Sequence, residues 1–474
     1  MSERNTGFFD GVFDRTLSNL RTAWRDISES ARSAISGSLR QDLQGENPEL
    51  LREQMRNCLE GRGGEVSARA RAADLGRTYL ALDAAGRTRF LHILAESFDV
   101  DRAEIDASCA RLAAAAPADR HQAERKLRRA LEPPRVKLLT QFNALPDGVK
   151  FLVDMRAELM RLSRDDAELA ALEQDLKTLL AGWFDIGFLE LRRIDWDSSA
   201  SLLEKLTVYE AVHEIRGWTD LKNRLAADRR CFAFFHPRMP DEPLIFVEVA
   251  LVNGMEGNIH TLLDESAPLG NAAEADTAIF YSISNCQKGL AGISFGNFLI
   301  KRVVDSLKAE LPRLKTFATL SPIPGFGRWL DKELEADSET LLTAAEQRAL
   351  AELPETQGGK SLRELLATPE WHQDDELVRA LREPLMRLCA RYLMLEKASA
   401  GRARDPVAHF HLSNGARVER LNWSADLSPK GLQQSAGMMI NYLYKLSEIE
   451  ENHERYTDDG RIAASTQLRS LLRS

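Results

Sequence analysis

The chain has 474 residues, of which 44% are hydrophobic and 28% charged, and its formal net charge at pH 7 is -9. That length is enough for about two or three domains, each with a core of its own. The acidic balance excludes a general electrostatic affinity for nucleic acid, which needs a basic surface, but it is compatible with a local basic patch for a small phosphorylated ligand.

The five cysteines, Cys58, Cys109, Cys231, Cys286 and Cys389, are widely spaced and form no Cys-x-x-Cys pair. This excludes a disulfide framework or a zinc knuckle as the organising principle and fits a reducing compartment. The N-terminal segment has no apolar core of signal-peptide type, and its acidic residues argue against a transit peptide. No apolar run is long enough to span a bilayer, and the terminal Leu472-Arg473-Ser474 lacks a peroxisomal Ser-Lys-Leu ending. The expected location is cytoplasmic.

In chain order, residues 1–182 read as helix, with the first ~40 residues partly disordered on composition. Ser163 is placed to cap a helix whose apolar positions Leu169, Leu172, Leu176, Leu179 and Leu180 form one stripe. Asp165 and Asp166 sit in its first turn, where the helix dipole favours negative charge. Leu80–Phe98 and Val149–Leu162 read the same way. The stripes are expected to pack as a bundle, with some left for subunit contacts.

After Trp183 the period changes. Short runs rich in aromatic and β-branched residues predict strands at Cys231–Phe235, Leu244–Val252, Ala278–Ser284 and Thr316–Leu320, with a helix over Phe298–Leu311. A helical stretch at about 330–400 reads as an insertion. Asn414-Gly415 between Val407–Leu412 and Ala416–Trp423 predicts a β-hairpin, and Gly437–Tyr444 reads as a helix.

Four segments carry candidate chemistry. The loop Gln287–Gly296 follows a predicted strand and opens a predicted helix; it reads either as a pyrophosphate cradle at a helix N-terminus or as a plain Gly-rich turn. Lys301 and Arg302 lie one turn on. Within it, Gly292-Ile293-Ser294-Phe295-Gly296 matches the G-x-S-x-G nucleophile elbow, although the polar stretch Asn285–Gly289 separates it from the strand on which an elbow should sit. In Leu320-Ser321-Pro322-Ile323-Pro324-Gly325-Phe326, Ser321 stands at a strand end with a proline-stiffened exit; a simple turn serine gives the same pattern. His409 and His411, if on a strand, share a face, either toward a cleft or toward solvent. No Glu, Asp or Cys lies at a spacing that would complete a metal site. Asn441 and Tyr444, if on a helix, lie one turn apart and could share a cleft.

These segments occur in a recognisable order. Ala278–Trp329 contains FYSIS, the GL-x-G loop, FLIKRVV and LSPIPGF, and Asp405–Tyr444 contains DPVAHFHLSNGA, LNW-x-AD and NY-x-Y. Together with Gly187–Glu190 and Ala211–Trp218, they resemble the malonyl-CoA decarboxylases across essentially the whole C-terminal half; the N-terminal half resembles them only in being helical. The resemblance implies an α+β protein in which a helical bundle (1–182) used in oligomer contacts precedes an acetyltransferase-like α/β catalytic domain (183–474) with a central mixed sheet. It implies decarboxylation of malonyl-CoA to acetyl-CoA and carbon dioxide without metal or organic cofactor, in a homo-oligomer, a tetramer by resemblance. It assigns Ser321 and His411 as catalytic residues. It assigns Ala291, Gly292, Ile293, Ser294, Phe295, Gly296 and Asn297 to substrate contact, with Ser321, His411 and Tyr444. Animal members carry Glu where this chain has Ser294. The rival readings are a thioesterase with a Ser294 nucleophile, a CoA-dependent acyltransferase and a silent CoA-binding module.

Overall fold

The structure, a computed structural model, describes Trp24, Arg25, Ile27 and residues 39–60, 64–293, 299–336, 341–354, 357–398 and 401–473. Most of the first ~40 residues, expected to be partly disordered, lie outside the described residues. The chain divides into two compact units, taken here in turn.

The first unit is helical. Eight helices, Asn47–Glu60, Gly64–Ala81, Ala84–Ser97, Arg102–Ala114, Arg120–Ala130, Pro134–Phe142, Gly148–Leu162 and Ala167–Trp183, hold most of its described residues up to Trp183. Of the predicted stripe, Leu169, Leu172, Leu176 and Leu180 are buried and Leu179 is half-buried. The cap, however, is Asp166, whose carboxylate accepts the Leu169 N–H, while Ser163 opens a short 3-10 turn. Likewise Leu80–Phe98 is two helices and not one. They are broken at Asp83, which accepts the Gly86 N–H and starts the second, because a carboxylate that satisfies orphan N–H groups begins a helix. The core of this unit gathers Trp24, Phe142 and Phe151, with the Trp24 and Phe151 ring centroids 4.9 Å apart.

The same unit includes residues 235–244 and 285–295. Arg156, 1% exposed, bridges the two sides of this packing. Its guanidinium donates to the Gly289 carbonyl at 2.5 Å and to the Glu173 carboxylate at 2.8 Å. Gly289 permits the approach, since a Cβ there would stand 1.8 Å from the Val153 carbonyl oxygen.

The second unit holds a mixed sheet of seven strands: β1 (Glu190–Ile194), β2 (Arg229–Phe235), β3 (Ile245–Val252), β4 (Thr277–Asn285), β5 (Thr316–Thr319), β6 (Arg417–Asn422) and β7 (Met439–Leu443), in the order β1-β2-β3-β4-β5-β7-β6. β2 and β3 are antiparallel, β4 and β5 parallel, and β7 runs antiparallel to both β5 and β6. A parallel pair needs a crossover. Helix Leu299–Glu310 lies in that connection and buries Leu299, Ile300, Val303, Val304 and Leu307. β3 and β4 are almost wholly buried, which is why they read as continuous apolar runs and not as alternations. Between β5 and β6 the chain is helical, with helices at Phe326–Glu335, Ala344–Ala351, Leu362–Leu366 and Asp375–Met394.

Two segments differ from expectation. Pro406–Ser413 is a helix, not the first strand of a hairpin. Asp405 caps it by accepting the Val407 and Ala408 N–H groups, and Pro406 fills its first position, where proline is pre-organised. Asn414-Gly415 ends this helix: Gly415 has φ of +79°, the Gly415 N–H donates to the Leu412 carbonyl, and the Ala416 N–H donates to that of His411. That is the glycine helix stop with its paired terminal bonds. Gly437–Tyr444, read as a helix, instead supplies β7. It pairs with both β5 and β6, so its backbone groups are used in ladders on two sides.

Candidate functional site: a serine–histidine–tyrosine chain on the sheet

Ser321 lies two residues beyond the end of β5. An isolated antiparallel bridge holds it: its N–H donates to the Ile440 carbonyl at 2.8 Å, and its carbonyl accepts the Ile440 N–H at 2.9 Å. The backbone is thereby fixed before the two prolines that follow. The side chains of Thr319 and Ser321 point to one face, as do those of Tyr442 and Tyr444 on the neighbouring strand, because side chains alternate along a strand.

His411 comes to that face from helix Pro406–Ser413. Its Nε2 lies 3.2 Å from Ser321 Oγ, and its Nδ1 lies 2.8 Å from the Tyr444 hydroxyl. The Tyr442 ring stacks on it, with centroids 4.5 Å apart and planes 24° from parallel. Ser321 is 5% exposed and His411 2%. The Ser321 hydroxyl donates to Thr319 Oγ1 at 2.8 Å. That leaves the serine oxygen to accept from His411 Nε2–H, and His411 Nδ1 to accept from Tyr444. The network thus assigns one neutral tautomer. Burial pushes the imidazole down to about 3 and pushes the Tyr444 phenol well up, so both groups are neutral near pH 7.

The two histidines read as a pair go separate ways, because on a helix they no longer share a face. His409 Nδ1 lies 2.8 Å from the Tyr456 hydroxyl, away from Ser321. Asn441, expected beside Tyr444, points to the opposite face of β7. Its amide donates to the carbonyls of Thr319 and Glu256 and accepts from Arg420 and Asn422, so it ties the sheet together. Two contributors were missed in the sequence. Thr319 is an ordinary strand residue with no motif around it. Tyr442, inside the NY-x-Y segment, is fully buried against the histidine.

Of the Gly-rich loop, Ala291, Gly292 and Ile293 are described, whereas Ser294, Phe295, Gly296 and Asn297 lie outside the described residues. Gly292 has φ of +74°, a conformation natural to glycine. A Cβ at Gly292 would come 3.5 Å from Lys177 Nζ, so the ammonium of helix Ala167–Trp183 stands beside the loop. Lys301 and Arg302 are engaged elsewhere. The first pairs with Glu450 at 3.0 Å, and the second lies over the Phe234 ring at 5.5 Å. A three-residue group on the helical unit, His92, Glu96 and Glu168, has ligand atoms close enough to one another for a metal ion.

Comparison with known proteins identifies the family of the chain as a whole. Residues 187–474 match the family described as malonyl-CoA decarboxylase C-terminal domain, and residues 98–184 match the malonyl-CoA decarboxylase N-terminal domain. The chain is 39% identical over 422 residues to the mitochondrial malonyl-CoA decarboxylase of Anser anser anser, covering 85% of this chain and 84% of that protein. It is 39% identical over 422 residues to the one of Rattus norvegicus, covering 85% and 86%. Crystal structures of malonyl-CoA decarboxylases superpose on it: that of Rhodopseudomonas palustris with TM-score 0.82 at 45% identity over 89% of this chain and 99% of the other, and that of Agrobacterium vitis with TM-score 0.81 at 44% identity over the same shares. The helical region followed by a mixed-sheet unit and these matches together establish that the chain belongs to the malonyl-CoA decarboxylase family.

Proposed function

We propose that Ser321 and His411 carry the conversion of malonyl-CoA to acetyl-CoA and carbon dioxide, with Tyr444 behind the histidine. The observation that carries this reading is the buried 3.2 Å contact between Ser321 Oγ and His411 Nε2. The substrate holds its own electron sink. As the carbon–carbon bond to the carboxylate breaks, its electron pair moves into the thioester carbonyl, giving an enolate. Donors set at the enolate oxygen lower that barrier, and the Ser321 hydroxyl is such a donor once it turns from Thr319 to the substrate. The enolate carbon then takes a proton from His411 Nε2. A neutral imidazole gives up this proton most readily if its other nitrogen gains one, and the Tyr444 hydroxyl is positioned for that. A solvent proton then reaches Nε2 as Nδ1 returns its own to the Tyr444 oxygen, which restores the starting tautomer.

Ala291–Asn297 is the proposed contact for the CoA end of the substrate. Lys177, beside Gly292, is the phosphate partner proposed for that loop; Lys301 pairs with Glu450 and Arg302 lies over the Phe234 ring. The division of labour we propose follows the sequence: a helical part at 1–182 for subunit contacts in a homo-oligomer, a tetramer, and a catalytic part at 183–474 with its helical insertion at about 330–400. Exposed Val66 and Leu131 on the helical unit support subunit contacts there; light scattering that gives the monomer mass at micromolar concentration overturns this. A cytoplasmic location fits the five free thiols, and cell fractionation tests it. The animal relatives are named mitochondrial. Among the described residues no helix is long and apolar enough to cross a membrane.

The deciding experiment is incubation of the purified protein with malonyl-CoA alone. Acetyl-CoA and carbon dioxide, formed without free thiol and without an acceptor, are expected. Release of free CoA thiol, or turnover only with an added acceptor, overturns the reading.

A further inference from the structure

Ser321 and His411 are 90 residues apart in the chain, and their contact depends on two segments keeping one separation. The serine side continues as Pro322-Ile323-Pro324-Gly325. The histidine side begins at the N-terminus of helix Pro406–Ser413. Asp405, 1% exposed, stands where these meet. Its Oδ1 accepts the Val407 and Ala408 N–H groups, each at 3.0 Å. Its Oδ2 accepts the Gly325 N–H at 3.1 Å and lies 3.5 Å from the Tyr392 hydroxyl. We propose that Asp405 is a positioning residue for the reaction: one oxygen of its carboxylate caps the helix that carries His411, the other holds the loop that leaves Ser321, and the carboxylate so sets the distance between the two.

Capping alone does not account for an aspartate here. Serine or asparagine caps a helix about as well, and neither asks for a buried charge, which is costly unless donors surround it. What the carboxylate adds is a second acceptor aimed at Gly325. The loop is shaped to meet it. A Cβ on Gly325 would lie 2.0 Å from the Tyr392 hydroxyl and 3.3 Å from Asp405 Oδ2, so only glycine brings the N–H that close. The far end of the same helix is held separately, by His453 Nδ1 against the Ser413 carbonyl and Asn452 against that of Gly415. Asp405 is therefore the tie between the histidine helix and the serine loop, while helix Ile449–Asp459 anchors the other end.

This inference rests on the reading of Ser321 and His411 as the catalytic pair, and the test separates the two. Asp405→Ser and Asp405→Asn both keep an oxygen able to cap, and both lack the second carboxylate oxygen. Each is purified, its fold is checked by circular dichroism and thermal melting, and its kinetics are measured alone and in a Ser321→Ala background. A loose serine–histidine geometry lowers kcat while leaving binding of the CoA portion intact. The expected result is a kcat lowered about tenfold or more, with KM for malonyl-CoA changed less than about twofold. Asp405→Ser is expected to add no further loss to Ser321→Ala, because residues acting as one unit are not additive. A folded variant with wild-type kcat, or full additivity with Ser321→Ala, overturns the inference; whichever of the two variants folds decides it. If Ser321→Ala itself turns over at the wild-type rate, it is the catalytic pair that has failed and not the tie.

Discussion

The Tyr444 hydroxyl holds Nδ1 of His411 at 2.8 Å, which turns the opposite ring nitrogen toward Ser321. A histidine ring has two distinct nitrogens, and the partner of one selects the proton on the other. Tyr444 therefore selects the Nε2–H tautomer. Tyr444→Phe keeps the ring and removes the donor. Its expected effect is a kcat lowered about tenfold, the scale of one well-placed hydrogen bond, with KM nearly unchanged. Steady-state kinetics with malonyl-CoA check this, and a Tyr444→Phe enzyme of wild-type kcat would remove Tyr444 from the proton path.

Ser321→Ala and His411→Ala are each expected to lower kcat by about 10²-fold or more, the usual scale for losing an oxyanion donor or a general acid. Ser294→Ala is expected to be milder. Acetyl-CoA formation by the three variants, measured side by side, decides between this assignment and the elbow. Abolished turnover in Ser294→Ala with near-normal Ser321→Ala would mean that Ser294 is the nucleophile of a different reaction.

The depressed pKa of His411 makes a prediction for pH. In the unfolded chain the imidazole takes a proton near its ordinary value of 6.5, and in the folded protein only near about 3. Between these values the unfolded state binds more protons, so stability falls as pH drops through that window and is fully present above it. His213, lowered to about 4 by burial, acts with the same sign. The melting temperature is expected to fall from pH 7 to pH 5, and to fall less in His411→Asn. By the same shift, kcat of the folded enzyme should lack an acidic limb near 6.5. A pH–kcat profile that loses half its rate at that value would show His411 to be protonated there.

Gly292→Val is expected to raise KM for malonyl-CoA strongly, with kcat less affected. The physical reason is backbone conformation more than crowding. The nearest group to a Cβ at Gly292 is Lys177, at ordinary contact distance, whereas φ of +74° is strained for a β-branched residue. Initial-rate kinetics over a range of malonyl-CoA concentrations test it, and an unchanged KM would take the loop out of the binding account.

Periodicity made the helical half legible. The leucine stripe of Leu169, Leu172, Leu176 and Leu180 is a local pattern, and burying one face of a helix imposes it on the sequence. β2 to β5 were legible for a related reason, since β-branched and aromatic residues favour strands. Where the run is short and buried on all sides, that signal is lost. Met439–Leu443, apolar but for Asn441, shows no clear period, and only its pairing with β5 and β6 makes it a strand. Val407–Leu412 reads as strand on the strength of the Asn-Gly pair that follows it; capping at Asp405 and the left-handed Gly415 decide for helix. The motifs that resemble the malonyl-CoA decarboxylases were visible residue by residue, but no spacing in the chain says that Ser321 and His411 touch. The two lie 90 positions apart. A contact of that kind costs chain entropy that no local pattern offsets, so it is set by the sheet that fixes Ser321, the helix that carries His411, and the buried Tyr442 and Tyr444 between which the imidazole lies.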